Sequence, residues 1–181
     1  AYGVEANSIG NFANSGDITV NAIGGYVNDD YYPGAAGVFV YGGSIENFVN
    51  TGRIEVSGNA TSDVYVDGVF VEYGIGNFTN GLGGTISVSA ISNGDYSYAS
   101  AYGVEARGNI GNFTNSGNIE VTANATATDY VGSSSYGVNA TAIGNFTNTG
   151  NIKVRSIANG CAWYQNISEA YGIYTSHIDN F

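Results

Sequence analysis

The stretch Ala101–Ser116 reads AYGVEARGNIGNFTNS, and residues 1–15 read AYGVEANSIGNFANS. The two stretches belong to a series, because a Gly followed by Val or Ile and a later alternating apolar segment keep the same order around each copy. The phenylalanine of the motif recurs at intervals of 30 to 36 residues, as Phe12, Phe48, Phe78, Phe113, Phe146 and Phe181. Internal repetition with this period is typical of solenoids, propellers and arrays. We expect the six phenylalanines to form one core ladder.

Each repeat contains three candidate strands. The first, as in YGVEA, alternates, so that one side chain of each pair faces inward and the next faces outward. The inward positions of the first strand are Val4, Val38, Val69, Val104, Val138 and Ile173. The outward positions of the first strand are Glu5, Phe39, Phe70, Glu105, Asn139 and Tyr174. In the third strand, as in NIEV at Asn118–Val121, the Ile and Val are expected inside and the residue between them outside.

The segments between these strands predict how the chain turns. Ile110 and Phe113 are three residues apart, which predicts a bend at Gly111 and Asn112 in the middle strand. An N-[ST]-G corner follows, and we expect its Gly and Asn to supply the positive φ that a sharp turn needs. After the third strand comes a segment of variable length, which predicts a loop that leaves the stack.

A three-stranded unit of this kind cannot bury its own apolar face, but stacking units on one another does so. The sequence therefore predicts an all-β, parallel β-solenoid, with a right-handed winding that follows the bias of parallel crossover connections. Asn residues repeated in each unit are expected to hydrogen-bond along the axis, as stacked amides do in cross-β structures. A β-propeller would need longer, four-stranded blades, and a β-sandwich would not need the same corner in every unit.

We divide the chain into one repeat domain of six imperfect units. Their approximate bounds are 1–35, 36–66, 67–100, 101–134, 135–169 and a partial unit at 170–181. Neither end carries a recognisable polar cap, although repeat proteins need caps for solubility. The expectation is therefore a segment of a longer chain, or a unit that stacks onto copies of itself.

Composition limits the classes of partner. The 181 residues include only four Lys and Arg against fifteen Asp and Glu, for a formal net charge of −11. Nucleic acid is an unsuitable partner because a phosphate-binding surface needs clustered cations. No apolar run approaches the ~20 residues of a membrane helix, so we expect no membrane insertion of this segment. Cys161 is the single cysteine, which leaves an inert thiol or an interchain bridge as alternatives.

The corner and third strand, F-T-N-[ST]-G-N-I-x-V, resemble the I-x-N-x-G-x-I repeats of secreted bacterial β-solenoids. This group includes autotransporter passenger domains and filamentous-haemagglutinin-like adhesins. The resemblance covers all six units, although these units are long and unusually rich in Tyr. It implies an extracellular or cell-surface location and a role in adhesion or scaffolding.

The sequence does not indicate catalysis, because most polar residues belong to repeated rows instead of occurring as one constellation. Glu5, Glu55, Glu105 and Glu120 are expected to face outward as solvated charges. His177 is the single histidine, so neither a Ser-His-Asp triad nor a zinc site is expected. No cofactor is expected either, with calcium at Asp29, Asp30 or Asp95 as a weak alternative, since these carboxylates lie in oxygen-rich segments.

Aromatic residues in the variable segments are candidates for partner contacts, or else fold back over the solenoid. These are Tyr31, Tyr32, Tyr96, Tyr98, Trp163 and Tyr164. Among the N-x-[ST] sequons, Asn59, Asn124 and Asn166 are the preferred glycosylation candidates, because we expect them in loops.

Two functions remain open from the sequence. The first is a non-enzymatic extracellular structural protein that builds a filament, sheath or adhesin stalk, with copies of itself as partners that join end to end or laterally. The second is a β-helix that binds or cleaves polysaccharides, with surface glycans as partners, through loop aromatics and acids. An enzyme should gather unlike polar residues at one place, whereas a scaffold should show uniform ladders.

Overall fold

The computed structural model describes residues 1–27, 32–160 and 166–181. Over these ranges the protein is a parallel β-solenoid of about five turns built from fifteen strands, which confirms the predicted fold class. Nine strands form one continuous sheet and six form a second. The described ranges contain no helix, and hence no helical segment that could span a bilayer.

The strands repeat around each turn in a fixed order, as a first, a middle and a third row. The first row consists of β1 (Tyr2–Ala6), β4 (Ala35–Val40), β7 (Val64–Val71), the C-terminal halves of β9 (Thr85–Ala106) and β11 (Asn118–Ala140), and β14 (Asn166–Tyr174). The middle row consists of β2 (Ile9–Asn14), β5 (Ile45–Asn50), β8 (Ile75–Asn80), β10 (Ile110–Asn115), β12 (Ile143–Asn148) and β15 (Ile178–Asn180). The third row consists of β3 (Asp17–Gly24), β6 (Arg53–Ala60), the N-terminal halves of β9 and β11, and β13 (Asn151–Gly160).

The register between turns pairs like with like. Phe113 lies between Phe78 and Phe146. Val104 likewise lies between Val69 and Val138. This pairing is why the sequence repeats itself: each residue must fit against its own equivalent one turn away.

The interior is a single apolar core filled from all three rows. The predicted inward residues are buried there in the central turns, for example Val104, Ile119 and Val121, each at most 1% exposed. At the two ends the equivalent residues, such as Val4 and Ile173, are only partly buried. Full burial of one such side chain contributes about 1.5–3 kcal/mol, so the central turns hold most of the stabilisation.

The phenylalanine ladder runs the length of the middle row. Neighbouring rings stack with centroids 4.8–5.3 Å apart and planes within 16° of parallel. Phe48, Phe78, Phe113 and Phe146 are buried, while Phe12 is half-buried. Phe181 stacks on Phe146 with one face only and is 92% exposed, because no further turn covers it.

Two asparagine ladders flank this stack and run in opposite directions. In the outer ladder each Nδ2 donates to the Oδ1 of the Asn one turn earlier, over 2.6–2.8 Å, through Asn11, Asn47, Asn77, Asn112, Asn145 and Asn180. In the inner ladder each Nδ2 donates to the Asn one turn later, over 2.7–2.9 Å, through Asn14, Asn50, Asn80, Asn115 and Asn148. The predicted amide stacking is therefore present in both rows.

The irregular alternation in the middle strand is also present. In β10, Gly111 and Asn112 are both exposed between the buried Ile110 and Phe113. Gly111 has no partner in the register that pairs β10 with β8 and β12. Two successive outward residues bring both apolar side chains to the core side.

A glycine in five of the six first-row strands lets the third row pack against it. A Cβ built on Gly103 would lie 2.6 Å from Ile119 Cγ2 and 2.5 Å from the Gly137 carbonyl oxygen. Real Cβ atoms do not approach other atoms so closely, so the position accepts only glycine. The Gly of the Gly-Val motif thus leaves the space that the third-row Ile side chain occupies.

The corner glycines have a different role from the predicted one. Among the described residues only Gly83, in the widened NGLGG corner, has a positive φ, of 84°. A Cβ on Gly52 would lie 2.1 Å from the Gly16 carbonyl oxygen, and one on Gly150 would lie 2.1 Å from that of Gly117. The corners need glycine because successive turns pack backbone against backbone there.

The prediction that the variable segments leave the stack is wrong for two of the turns. β9 and β11 run without a break from the third row into the first row and pair with each other along nearly their whole length. Only a register shift between Ala127 and Tyr130 interrupts the pairing. Small alternating residues, as in Ser97–Ala101, let these segments form further rungs of the sheet.

Candidate functional site

The outer face of the first row is where turns differ most from one another. Tyr102, Tyr136 and Tyr171 stack there with centroids 4.7 and 5.3 Å apart. One turn earlier, the partner of Tyr102 is Asp67. The partner of Glu105 is likewise Phe70. The outward side chains of the first row thus differ in chemical type between β7 and β9.

A small apolar layer covers the outer face of β4 and β7. Phe39 and Phe70, predicted to face outward, do so but are buried, at 4% and 0% exposure. Tyr32 contacts both rings edge-on, at 5.5 and 5.8 Å between centroids. The Arg107 guanidinium lies 5.0 Å from the Phe70 ring centroid and 5.5 Å from that of Tyr32, within the range of cation–π attraction.

Beside this layer lies a buried group of unlike polar side chains, which we call the acid cluster: Tyr65, Asp67, Tyr102, Glu105 and Arg107. Asp67 and Glu105 are 0% and 6% exposed. The Tyr65 hydroxyl donates to Glu105 Oε2, and Arg107 Nε lies 3.8 Å from Glu105 Oε1. Both Asp67 carboxyl oxygens are buried without a hydrogen-bond partner.

Burial governs the ionisation of this cluster. It raises the pKa of Asp67 well above its usual range, the Glu105 charge raises it further, and Arg107 opposes both effects. Burial also raises the pKa of Glu105, against hydrogen bonding from Tyr65 and attraction to Arg107. The pKa values of Tyr65 and Tyr102 are raised chiefly by burial. The cluster therefore favours a neutral Asp67 carboxyl.

The expectation that Glu105 is a solvated outward charge is wrong, because its side chain is buried with the Tyr65 hydroxyl and the Arg107 guanidinium against its carboxylate. Glu5 and Glu120 are exposed as expected, and Glu55 is partly exposed and pairs with Arg53 at 2.6 Å. Sequence reasoning missed Asp67 altogether. The available indication was the pair of phenylalanines in an otherwise polar outward row, which implies a covering layer.

Of the residues singled out for metal or acid-base chemistry, the described ones do not come together. Asp95 is exposed and accepts a hydrogen bond from Thr128 at 3.1 Å. His177 is exposed beside Asp179, at 3.1 Å. Asp29 and Asp30 lie outside the described residues. Over the described ranges there is no group of three or more His, Cys, Asp or Glu side chains that could hold a metal ion.

The aromatic candidates have different surroundings. Tyr32 folds over the solenoid and donates to Glu72 Oε1 at 3.3 Å. The Tyr98 hydroxyl lies 2.8 Å from Ser134 Oγ, and its ring occupies the space where Gly132 lacks a side chain. Tyr96 is 65% exposed. Tyr31, Trp163, Tyr164 and Cys161 lie outside the described residues.

The glycosylation candidates lie in strands, not in the predicted loops. Asn59 is exposed in β6. Asn166 is exposed at the start of β14, and its Nδ2 donates to the Gly160 carbonyl at 3.1 Å. Asn124 is half-buried in β11, with its Oδ1 buried and without a partner. Asn59 and Asn166 are thus the exposed residues of the three.

The ends of the solenoid are the second candidate site. At one end the outer edges of β1, β2 and β3 have no pairing strand, and at the other those of β13, β14 and β15 have none within the described residues. A hollow of about 530 Å³ opens at the C-terminal end, lined by Phe146, Ile152, Ile173 and Phe181. Unpaired edges and half-exposed apolar rows are what a further strand would cover.

Comparisons with protein-family models, with curated proteins and with solved structures find no match to this chain.

Proposed function

We propose that this chain is a non-enzymatic structural protein whose solenoid lengthens end to end, building a filament, sheath or stalk at a cell surface. The observation that supports it most is that the apolar, phenylalanine and asparagine ladders repeat uniformly from turn to turn. Each turn therefore presents to the next the same chemistry that it packs against. The surface location follows from the resemblance to secreted solenoids.

The energetic argument rests on the terminal turns. Val4, Ile9, Phe12 and Ile18 are only partly buried at the N-terminal end, whereas their equivalents in the central turns are buried. A neighbour stacked on the N-terminal end would bury these rows. Repeat proteins gain stability through such nearest-neighbour contacts.

The polysaccharide alternative receives little support from the geometry. Tyr102, Tyr136 and Tyr171 stack face to face, so their faces are not free to stack on sugar rings. The carboxyls of the acid cluster are buried, so a glycosidic bond could not reach them in this arrangement. Burial of these carboxyls fits a structural role better than a catalytic one.

The test is electron microscopy and sedimentation of the protein over a range of concentrations. We expect rods that lengthen with concentration. Phe181→Asp should suppress lengthening, since it places a charge on the open face of the phenylalanine ladder, and monodisperse single units of the wild type at every concentration would refute the proposal.

Leu82→Asp is the matched control. Leu82 is 87% exposed in the NGLGG corner, on the side of the solenoid, and receives the same type of charge. We expect Leu82→Asp to form rods like the wild type. Loss of association in Leu82→Asp but not in Phe181→Asp would indicate side-to-side contact and contradict end-to-end growth.

A further inference from the structure

A small hollow lies on the outer face of the first row, where β7 is paired with β9. Its volume is about 210 Å³. Both strands are paired on each side, so the hollow belongs to the interior of the stack. Two successive turns line it, one with Asp63, Val64 and Tyr65 and the next with Tyr98, Ser100 and Tyr102. Because Tyr65 lies opposite Ser100, the register of the sheet brings these side chains together.

Three tyrosines form most of the wall. The rings of Tyr65 and Tyr102 have centroids 5.2 Å apart and planes inclined at 61°, so they meet as two walls at an angle. Tyr98 lies on the same side of the hollow as Tyr102, two positions apart along β9. Aromatic rings set around a small space are how proteins enclose a quaternary ammonium group, because the ring faces attract its positive charge.

The three rings are held in place without a ligand. The Tyr65 hydroxyl donates to Glu105, and the Tyr98 hydroxyl lies 2.8 Å from Ser134 Oγ. Tyr102 stacks on the next ring of the tyrosine row at 4.7 Å between centroids. A site whose side chains are already ordered loses less entropy when a ligand binds.

One carboxylate at the hollow lacks a cation. Burial raises the pKa of Asp63, against a hydrogen bond from the Tyr98 backbone N–H. Its charge therefore lies where water solvates it poorly. Within the described residues Asp63 makes no ion pair. A cationic ligand would supply the missing charge, and the net charge of −11 would favour its approach.

We propose that this hollow, which we call the tyrosine cage, binds the quaternary ammonium group of a small molecule. The rings of Tyr65, Tyr98 and Tyr102 surround the methylated nitrogen, and the Asp63 carboxylate is its counter-ion. Such a group has no N–H to donate, so ring faces and one carboxylate satisfy it. The same carboxylate would repel a phosphate next to the ammonium group, so the ligand is a free ammonium compound and not a phospholipid headgroup. The site does not depend on end-to-end growth.

The test is isothermal titration calorimetry of the whole chain with choline. The matched probe is the neutral carbon isostere of choline, in which a tert-butyl group replaces the trimethylammonium group. We expect choline to bind at least about tenfold more tightly than the isostere, since only choline gains from cation–π attraction and from Asp63. Equal affinities, or no binding of choline, would overturn the proposal.

Glycerophosphocholine distinguishes the two sources of this group. It carries the same ammonium group beside a phosphate, and we expect it to bind more weakly than choline. Binding as tight as that of choline, or tighter, would refute the assignment to a free ammonium compound.

Tyr98→Leu and Tyr98→Phe test the ring. Both variants lose the hydroxyl, but only Tyr98→Phe keeps an aromatic face. We expect choline affinity within about twofold of the wild type in Tyr98→Phe and at least about fivefold weaker in Tyr98→Leu. The thermal midpoint of each variant checks that it folds. Equal losses of affinity in two folded variants would contradict a role for the ring.

Asp63→Asn tests the counter-ion and does not require any change in the size of the side chain. It should weaken choline binding about threefold and leave binding of the neutral isostere unchanged. Asp17→Asn is the control, because Asp17 is exposed in the third-row strand β3 and does not line the hollow. It should change neither affinity. Unchanged choline binding by Asp63→Asn would refute the assignment of Asp63.

Discussion

Asp67 is the residue whose surroundings differ most from those of its equivalents in other turns. Tyrosine occupies its place in four of the six first-row strands, at Tyr2, Tyr102, Tyr136 and Tyr171, and Ala36 occupies it in β4. Its carboxyl is buried without a hydrogen-bond partner and faces Glu105, Arg107, Tyr65 and Tyr102. Such a group makes folding depend on pH.

We expect the free energy of unfolding to fall as the pH rises above about 4. The pKa of Asp67 is higher in the folded protein than in the unfolded chain, so the unfolded chain releases a proton that the folded protein keeps. The loss is up to about 1.4 kcal/mol for each pH unit until the folded pKa is reached. Asp67→Asn should flatten this dependence and raise stability at pH 8, measured by urea denaturation.

Asp129→Asn is the control, since Asp129 is exposed in β11. It should leave the pH dependence as in the wild type. A wild-type stability that rises between pH 5 and 8 would show that the Asp67 carboxyl is ionised in the folded protein.

The two asparagine ladders are elements of the fold with different energetic weight. The inner ladder is buried in its central turns, where Asn50, Asn80 and Asn115 are 0% exposed, while the outer ladder is exposed. A hydrogen bond whose partner is lost costs most where water cannot replace it.

Asn115→Ala should therefore destabilise the protein by about 1–3 kcal/mol, because the buried Asn80 amide keeps only its backbone acceptors and one of its hydrogens loses the side-chain acceptor. Asn112→Ala, at the equivalent turn of the outer ladder, should cost less than about 1 kcal/mol, since water can replace its bonds. Chemical denaturation of both variants measures the difference. Equal losses of stability in the two variants would contradict the argument that burial sets the cost of a lost hydrogen bond.

Sequence pattern was sufficient for those elements that repeat with little change. The inward Val row and the Asn rows recur in every turn, and both lie where the repeat predicts them. The strands β9 and β11 were not predictable in the same way, because Ser, Ala and Gly residues are equally common in loops. Whether such a segment pairs as a strand depends on a matching segment one turn away, and residue propensities carry no information about that neighbour.

The acid cluster depends even more on tertiary context. Nothing in Asp67 or Glu105 as single residues indicates burial, and Tyr65, whose hydroxyl donates to Glu105, lies 40 residues earlier in the sequence. The corner glycines illustrate the same limit. The corner motif predicts Gly52 as a residue with a positive φ. The structure instead requires glycine there because the Gly16 carbonyl of the preceding turn leaves no room for a Cβ.

At the scale of the whole molecule, stability should depend on distance from the ends. Phe113 is 1% exposed and stacks on a ring at each face, at 4.8 and 5.1 Å, whereas Phe181 is 92% exposed and stacks at one face. Phe113→Ala should cost about 3–5 kcal/mol. Phe181→Ala should stay within about 0.5 kcal/mol.

Calorimetry and native-state hydrogen exchange would measure both variants. A cavity in the central turn should also weaken coupling between the two halves, so that the halves exchange with different protection in Phe113→Ala. Uniform protection along the chain in that variant would show that the solenoid unfolds as one unit.

The opposed directions of the two asparagine ladders have an electrostatic consequence. In an α-helix the peptide dipoles point one way and sum along its length. Here the amide dipoles of one ladder oppose those of the other, so their axial components largely cancel within each turn. A solenoid extended to many turns therefore gathers little net polarisation along its axis from these side chains.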